Sequence, residues 1–125
     1  MEYNPVGWFE IPVIDLQRAM KFYTDLFGYT LDLQPEKSGF TMAWFPMVDK
    51  MMGAAGTLIL GEGYTPSHEG SMVYFSVPSV QETLTRVEGV GGKILMPKTD
   101  TGGHGFFAWV EDTEGNRIAI HSMQG

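Results

Sequence analysis

The sequence contains no cysteine. Disulfides, thiolate zinc sites and cysteine nucleophiles are therefore excluded. It is also short of positive charge: 8 Lys and Arg stand against 15 Asp and Glu, a formal net charge of -7. A surface that acidic repels a phosphate backbone and no basic cluster offsets it, so nucleic acid is not an expected partner. No apolar run approaches the roughly 20 residues of a membrane-spanning helix, so no membrane partner is expected either. The opening Met1-Glu2-Tyr3-Asn4-Pro5 lacks the basic and apolar regions of a signal peptide, and a cytoplasmic location is the expectation. A phosphate-binding loop, a nucleophile elbow, the helical zinc-protease motif and zinc-type ligand spacing are all missing. No cofactor is expected.

What remains is a chain of 125 residues with 43% hydrophobic, 13% aromatic and 18% charged residues. That is the size and composition of one globular domain able to bury its own core. Its most informative feature is an internal repeat. At a shift of 64 positions, Phe9-Glu10-Ile11-Pro12-Val13 falls on Val73-Tyr74-Phe75-Ser76-Val77, and Asp15, Leu16, Gln17 and Met20 fall on Ser79, Val80, Gln81 and Leu84. Gly28 falls on Gly92 and Leu31 on Leu95; at a shift of 62, Gly53 falls on Gly115 and Thr57-Leu58 on Ala119-Ile120.

Each half reads as strand, helix and three strands. In the first half, residues 6–13 alternate as a strand. Asp15 is an N-cap; Leu16, Ala19, Met20, Tyr23, Leu26 and Phe27 recur at helical spacing; Gly28 stops the helix. Strands are expected near 29–34, 39–46 and 56–61. In the second half, 72–77 is a strand, Ser79 caps a helix bearing Val80, Leu84, Val87 and Val90, and Gly91-Gly92 stops it. Strands follow near 93–96, 106–111 and 117–121, with 112–116 a turn between the last two. The predicted modules run from about 5 to 61 and from 71 to 123, joined by a linker over 62–70. The fold class is α+β: two tandem βαβββ modules forming a curved mixed sheet around a central trough, with the helices on the convex side.

Trp8-Phe9-Glu10-Ile11-Pro12-Val13-Ile14-Asp15-Leu16, with Ala19-Met20-Lys21-Phe22-Tyr23 and Leu26-Phe27-Gly28, resembles the opening of the vicinal oxygen chelate superfamily. Val87–Ile94, Gly102-Gly103-His104-Gly105 and Asp112–Ile118 agree with it. That superfamily holds glyoxalases, bleomycin-resistance proteins and extradiol dioxygenases, and the wording is similar to the branch related to lactoylglutathione lyase. The resemblance implies paired modules, a dimer, and in metal-dependent members a divalent cation held by His or Glu in the trough. Carried over position by position, those ligands fall on Trp8, Thr57 or a neighbour, Met72 and Ala119. None suits a hard divalent ion, so the usual metal site looks absent.

Strand alternation sorts the remaining side chains. Phe9, Ile11, Val13, Val73, Phe75, Val77, Ile118 and Ile120 should pack inward. Trp8, Glu10, Pro12, Thr57, Ile59, Met72, Tyr74, Ser76, Ala119 and His121 should face the trough, with Glu10, Ile59, Tyr74 and His121 as one tier. Glu10 is a candidate general acid or base, with Tyr74 or His121 beside it; alternatively it is a carboxylate at a wet cavity mouth, paired with a Lys or Arg. Trp8, Thr57, Met72, Ser76, His104 and Ala119 are candidate ligand contacts. The glycines around His104 could close over a ligand or simply permit a tight turn. His68, in the linker, should be solvated. Met47, Met51 and Met52 could form a lid over an apolar ligand or a subunit contact. Three readings follow: a ligand-binding protein without a metal, which we favour; a lyase or isomerase working through Glu10; and a non-catalytic interaction domain. The expected partners are a small molecule and a second copy of the chain.

Overall fold

A computed structural model describes residues 4–125. The chain forms two βαβββ modules. The first comprises β1 (Phe9–Pro12), α1 (Leu16–Phe27), β2 (Asp32–Leu33), β3 (Thr41–Trp44) and β4 (Gly56–Leu60). The second comprises β5 (Tyr74–Ser76), α2 (Val80–Val87) with a short 3-10 turn over Glu88–Val90, β6 (Lys93–Asp100), β7 (Phe106–Glu111) and β8 (Arg117–Ser122). Each module builds its own four-stranded sheet, in the orders β1-β4-β3-β2 and β5-β8-β7-β6. Both are mixed: β1 runs parallel to β4 and β5 to β8, and the other pairs are antiparallel. Among the described residues, no ladder hydrogen bonds join the two sheets.

The helix boundaries follow from capping chemistry. The Asp15 carboxylate accepts from the Arg18 N–H at the start of α1, and Gly28 closes it at φ 80°. The Ser79 hydroxyl accepts from the Glu82 N–H at the start of α2. Each helix turns one apolar stripe inward: Leu16, Ala19, Phe22, Tyr23 and Leu26 from α1, and Val80, Leu84 and Val87 from α2. These meet Ile11, Val13, Leu58 and Ala43 of the first sheet and Phe75, Ala108, Val110, Ile118 and Ile120 of the second in one core.

That core does not respect the module boundary. Phe75, from β5, stacks on Phe27 at 4.8 Å and lies 5.6 Å from Phe45, 5.7 Å from Tyr23 and 6.0 Å from Phe9. A residue of the second module is thus the hub of the first module's aromatic cluster. Polar contacts cross the same boundary. The buried Tyr23 hydroxyl donates to Asp112 Oδ2 at 2.7 Å, and Asn116 Nδ2 donates to the Pro12 carbonyl at 2.8 Å. Glu114 Oε1 accepts from the N–H groups of Ile14 and Asp15 at 2.8 and 2.7 Å, while its Oε2 takes the Arg18 Nε at 2.8 Å. The turn over 112–116 is therefore a clasp on the end of β1 and the start of α1.

Candidate functional site

The face of each sheet turned away from the shared core carries the candidate residues. Register fixes their neighbours. Glu10 lies opposite Thr57, Thr57 opposite Trp44 and Trp44 opposite Asp32, so one row crosses the first sheet. Tyr74, Ala119, Trp109 and Met96 form the matching row of the second; Ser76, His121 and Phe107 form the next. The two repeat shifts are both visible here, since Glu10 and Thr57 correspond to Tyr74 and Ala119. The predicted tier of Glu10, Ile59, Tyr74 and His121 is accordingly diagonal: Ile59 faces Pro12, and His121 faces Ser76.

Burial separates these residues further. Thr57, Ile59 and Ala119 are buried, not lining open space. The Thr57 hydroxyl donates to the Leu58 and Ala43 carbonyls at 2.7 and 3.1 Å, so its polar atom is already engaged. Trp8 and Trp44 are each 40% exposed and meet edge to face at 5.8 Å; Tyr74 is 51% exposed. Met72 is half-buried and Ser76 exposed.

Two cavities distribute the polar candidates. The smaller, of about 210 Å³, is lined by Glu10, Pro12, Ser67, Glu69, Ser71, Asn116 and Arg117 among others. The larger, of about 580 Å³, takes Tyr74 and Ser76 together with Phe9, Tyr29, Phe45 and loop 46–55. His121 and His104 line neither. Glu10 is exposed, and its partner is a hydroxyl, not the expected Lys or Arg: Tyr64 donates to its Oε1 at 2.8 Å. That hydrogen bond, helped by partial burial, raises the Tyr64 hydroxyl above its ordinary range. His121 Nε2 lies 2.6 Å from the His104 carbonyl, which ties the last strand to the 102–105 loop. Gly102, Gly103 and Gly105 of that loop all have positive φ, so glycine is required there for backbone reasons. No hydrogen bond or ion pair joins Glu10 to Tyr74 or His121 among the described residues. His68 is not merely solvated: its Nε2 is 2.7 Å from Glu111 Oε2.

Arg117 is the residue that sequence reasoning passed over. It lies on the same face of β8 as Ala119 and His121, so the alternation that named them also names it. Its guanidinium sits 4.9 Å from the Trp109 ring, in cation–π geometry. Its Nε is buried with no hydrogen-bond partner, as is the Trp109 indole N–H. An unsatisfied buried donor is rare in a folded protein and asks for an acceptor.

The positions to which family resemblance carries metal ligands hold Trp8, Thr57, Met72 and Ala119. Indole nitrogen and methyl groups offer a cation no lone pair, a thioether is soft, and Thr57 brings only a neutral, fully buried hydroxyl. Among the described residues, no three His, Asp or Glu side chains cluster to hold an ion. The donor set does not fit a divalent metal.

Comparison with known proteins agrees with this fold. The model of the Glyoxalase/Bleomycin resistance protein/Dioxygenase superfamily matches residues 6–120. A glyoxylase-like domain-containing protein of Didymella fabae is 32% identical, over 98% of this chain and 97% of its own length. The anthracycline biosynthesis protein DnrV of Streptomyces peucetius is 28% identical over 91% of this chain, which spans 45% of that relative. Among solved structures, a glyoxylase/bleomycin resistance protein/dioxygenase domain from Frankia sp. EAN1pec superposes with a TM-score of 0.75 at 16% identity, covering 97% of this chain and 98% of that one. Glyoxalase I from Zea mays gives 0.74 at 21% identity, covering 95% and 46%.

Proposed function

Because the chain belongs to the glyoxalase/bleomycin resistance protein/dioxygenase superfamily, we propose that it is a small-molecule-binding protein that works without the divalent ion of the superfamily's metal-dependent members. The ligand sits in the cavity between Glu10 and Arg117. The observation that carries this reading is the cavity that Glu10 and Arg117 both line, which brings a carboxylate and a guanidinium to one hollow. A ligand carbonyl or carboxylate oxygen would pair with that guanidinium, and a charge-assisted hydrogen bond of this kind is the stronger sort. Glu10, already oriented by Tyr64, accepts a ligand donor on the opposite side. Recognition by hydrogen bonds, not bond making, is the role this arrangement supports, because among the described residues the one acid hydrogen-bonded to Glu10 is the Tyr64 phenol, whose proton is held more tightly by that bond.

The working form is a homodimer. Trp8, Trp44 and Tyr74 lie substantially exposed on the outward sheet faces, and a second copy laid across them would cover those rings.

A thermal-shift screen of small oxygen-bearing compounds, followed by calorimetry on the hits, tests the reading. Arg117→Ala is expected to weaken binding at least about tenfold, and Glu10→Gln less so. Dialysis against chelator should leave both melting temperature and ligand binding unchanged. Stoichiometric zinc or nickel in the purified protein, or turnover abolished by Glu10→Gln with binding intact, would replace this reading with an enzymatic one.

A further inference from the structure

The two modules are related by duplication, yet their equivalent junctions differ. On one side the hairpin loop of the second module, residues 112–116 between β7 and β8, closes onto β1 and α1 through Glu114 and Asn116. The equivalent loop of the first module, 45–55 between β3 and β4, is longer and should close in the same way onto β5. It does not. Among the described residues, no hydrogen bond joins loop 46–55 to β5. Between them lies the larger cavity, about 580 Å³, which is within the usual range for small-ligand sites.

The walls of this cavity are aromatic. Phe9 and Phe45 lie 5.5 Å apart, and Tyr29 meets Phe45 edge to face at 5.8 Å. Phe75 of β5 and Val73 just before it complete them. The roof is the methionine-bearing loop. Met47 and Val48 are 69% and 68% exposed, and Met51 is 68% exposed. Apolar side chains so exposed beside an apolar cavity are costly unless something covers them. The loop also holds Lys50 at φ 62°, an unfavourable angle for a residue with a side chain. Its only charged members, Asp49 and Lys50, are adjacent, opposite in sign and exposed, so the walls favour no net charge.

We infer that the gap between loop 46–55 and β5 is a second ligand site, separate from the Glu10–Arg117 cavity, which takes a planar, apolar, uncharged small molecule between the packed edges of Phe9, Tyr29 and Phe45 on one side and the methionine loop on the other. Edge-to-face packing against the rings and sulfur–aromatic contacts from Met47 and Met51 supply the recognition.

The neutral aromatic fluorophore N-phenyl-1-naphthylamine is the probe. The full chain should give a saturable, blue-shifted fluorescence increase. Ala55→Trp, which fills the cavity from its rim, should weaken it at least about tenfold, while Arg117→Ala leaves it unchanged. In protein labelled with ¹³C at the methionine methyls, the Met47 and Met51 signals should move on saturation and the Met96 signal should not; this decides the matter if Ala55→Trp fails to fold. No saturable increase up to the probe's solubility, unmoved Met47 and Met51 signals, or a response lost in Arg117→Ala but kept in Ala55→Trp would each overturn the inference. The last outcome would leave the Glu10–Arg117 reading standing; failure of that reading alone would leave this one untouched.

Discussion

Glu114 shows how one side chain can serve structure so completely that it is unavailable for chemistry. Burial alone would push its carboxyl up. The Arg18 guanidinium, the Asp15 and Ile14 N–H groups and the Thr113 hydroxyl more than offset this and hold it below the usual carboxylate range. Asp112, close by, goes the other way: burial raises it, only partly opposed by Tyr23 and Asn116. The linkage signs are opposite. A depressed folded-state pKa gives stability that is present above the unfolded value, near pH 4 to 4.5, and is lost as pH falls through the folded value. Glu114→Gln should therefore cost about 2 kcal/mol at pH 7, and the gap to the parent should close as pH is lowered from about 5 to below 3. Urea unfolding at several pH values measures it; a constant gap would mean that the carboxylate charge is not what matters. Nothing in the sequence beyond a turn signal at 112–116 hinted at this role, because Glu114 meets partners about 100 positions away.

Elements were legible wherever local chemistry decides them. Asp15, Gly28 and Ser79 cap the helices where the residue types said they would. The alternation of Phe9, Ile11 and Val13, and of Phe75, Ile118 and Ile120, placed the core faces correctly. Strand lengths were not legible. The segment 29–34 contracts to Asp32–Leu33, an exposed edge with little to bury, and β6 runs on to Asp100 through two register shifts. Nor does alternation distinguish a side chain lining open space from one enclosed by its neighbours. Thr57 and Ala119 lie on the predicted face, yet each sits between larger side chains of its own row and is buried. Gly56 marks an element-level constraint of another kind. A Cβ there would run into the Phe9 carbonyl oxygen and ring, at the first rung of the β1–β4 ladder. Gly56→Ala should destabilise by about 2 kcal/mol through strain in packed backbone, as measured by chemical denaturation; an unchanged midpoint would show that β1 can slide away at no cost.

At the scale of the whole molecule, the duplicated pattern announced two modules but not how they join. The joint is made by Phe75, which is 6% exposed and surrounded by Phe9, Tyr23, Phe27 and Phe45. Phe75→Ala should cost about 3–5 kcal/mol, the usual price of emptying a large aromatic site. Its unfolding should remain a single transition by calorimetry, since both halves share the damaged core. Two separated transitions would mean that the modules are independent after all. The two paired sheets expected from the repeat are present, and the polar candidates among them divide between two cavities.

The position of Phe75 also bears on cutting the chain. A fragment carrying only the first βαβββ unit would lack the ring that packs on Phe9, Phe27 and Phe45, and a second copy of that fragment could not supply it, because the equivalent position is Ile11. Neither half can therefore be lifted out as a self-contained scaffold without a new side chain to fill that place.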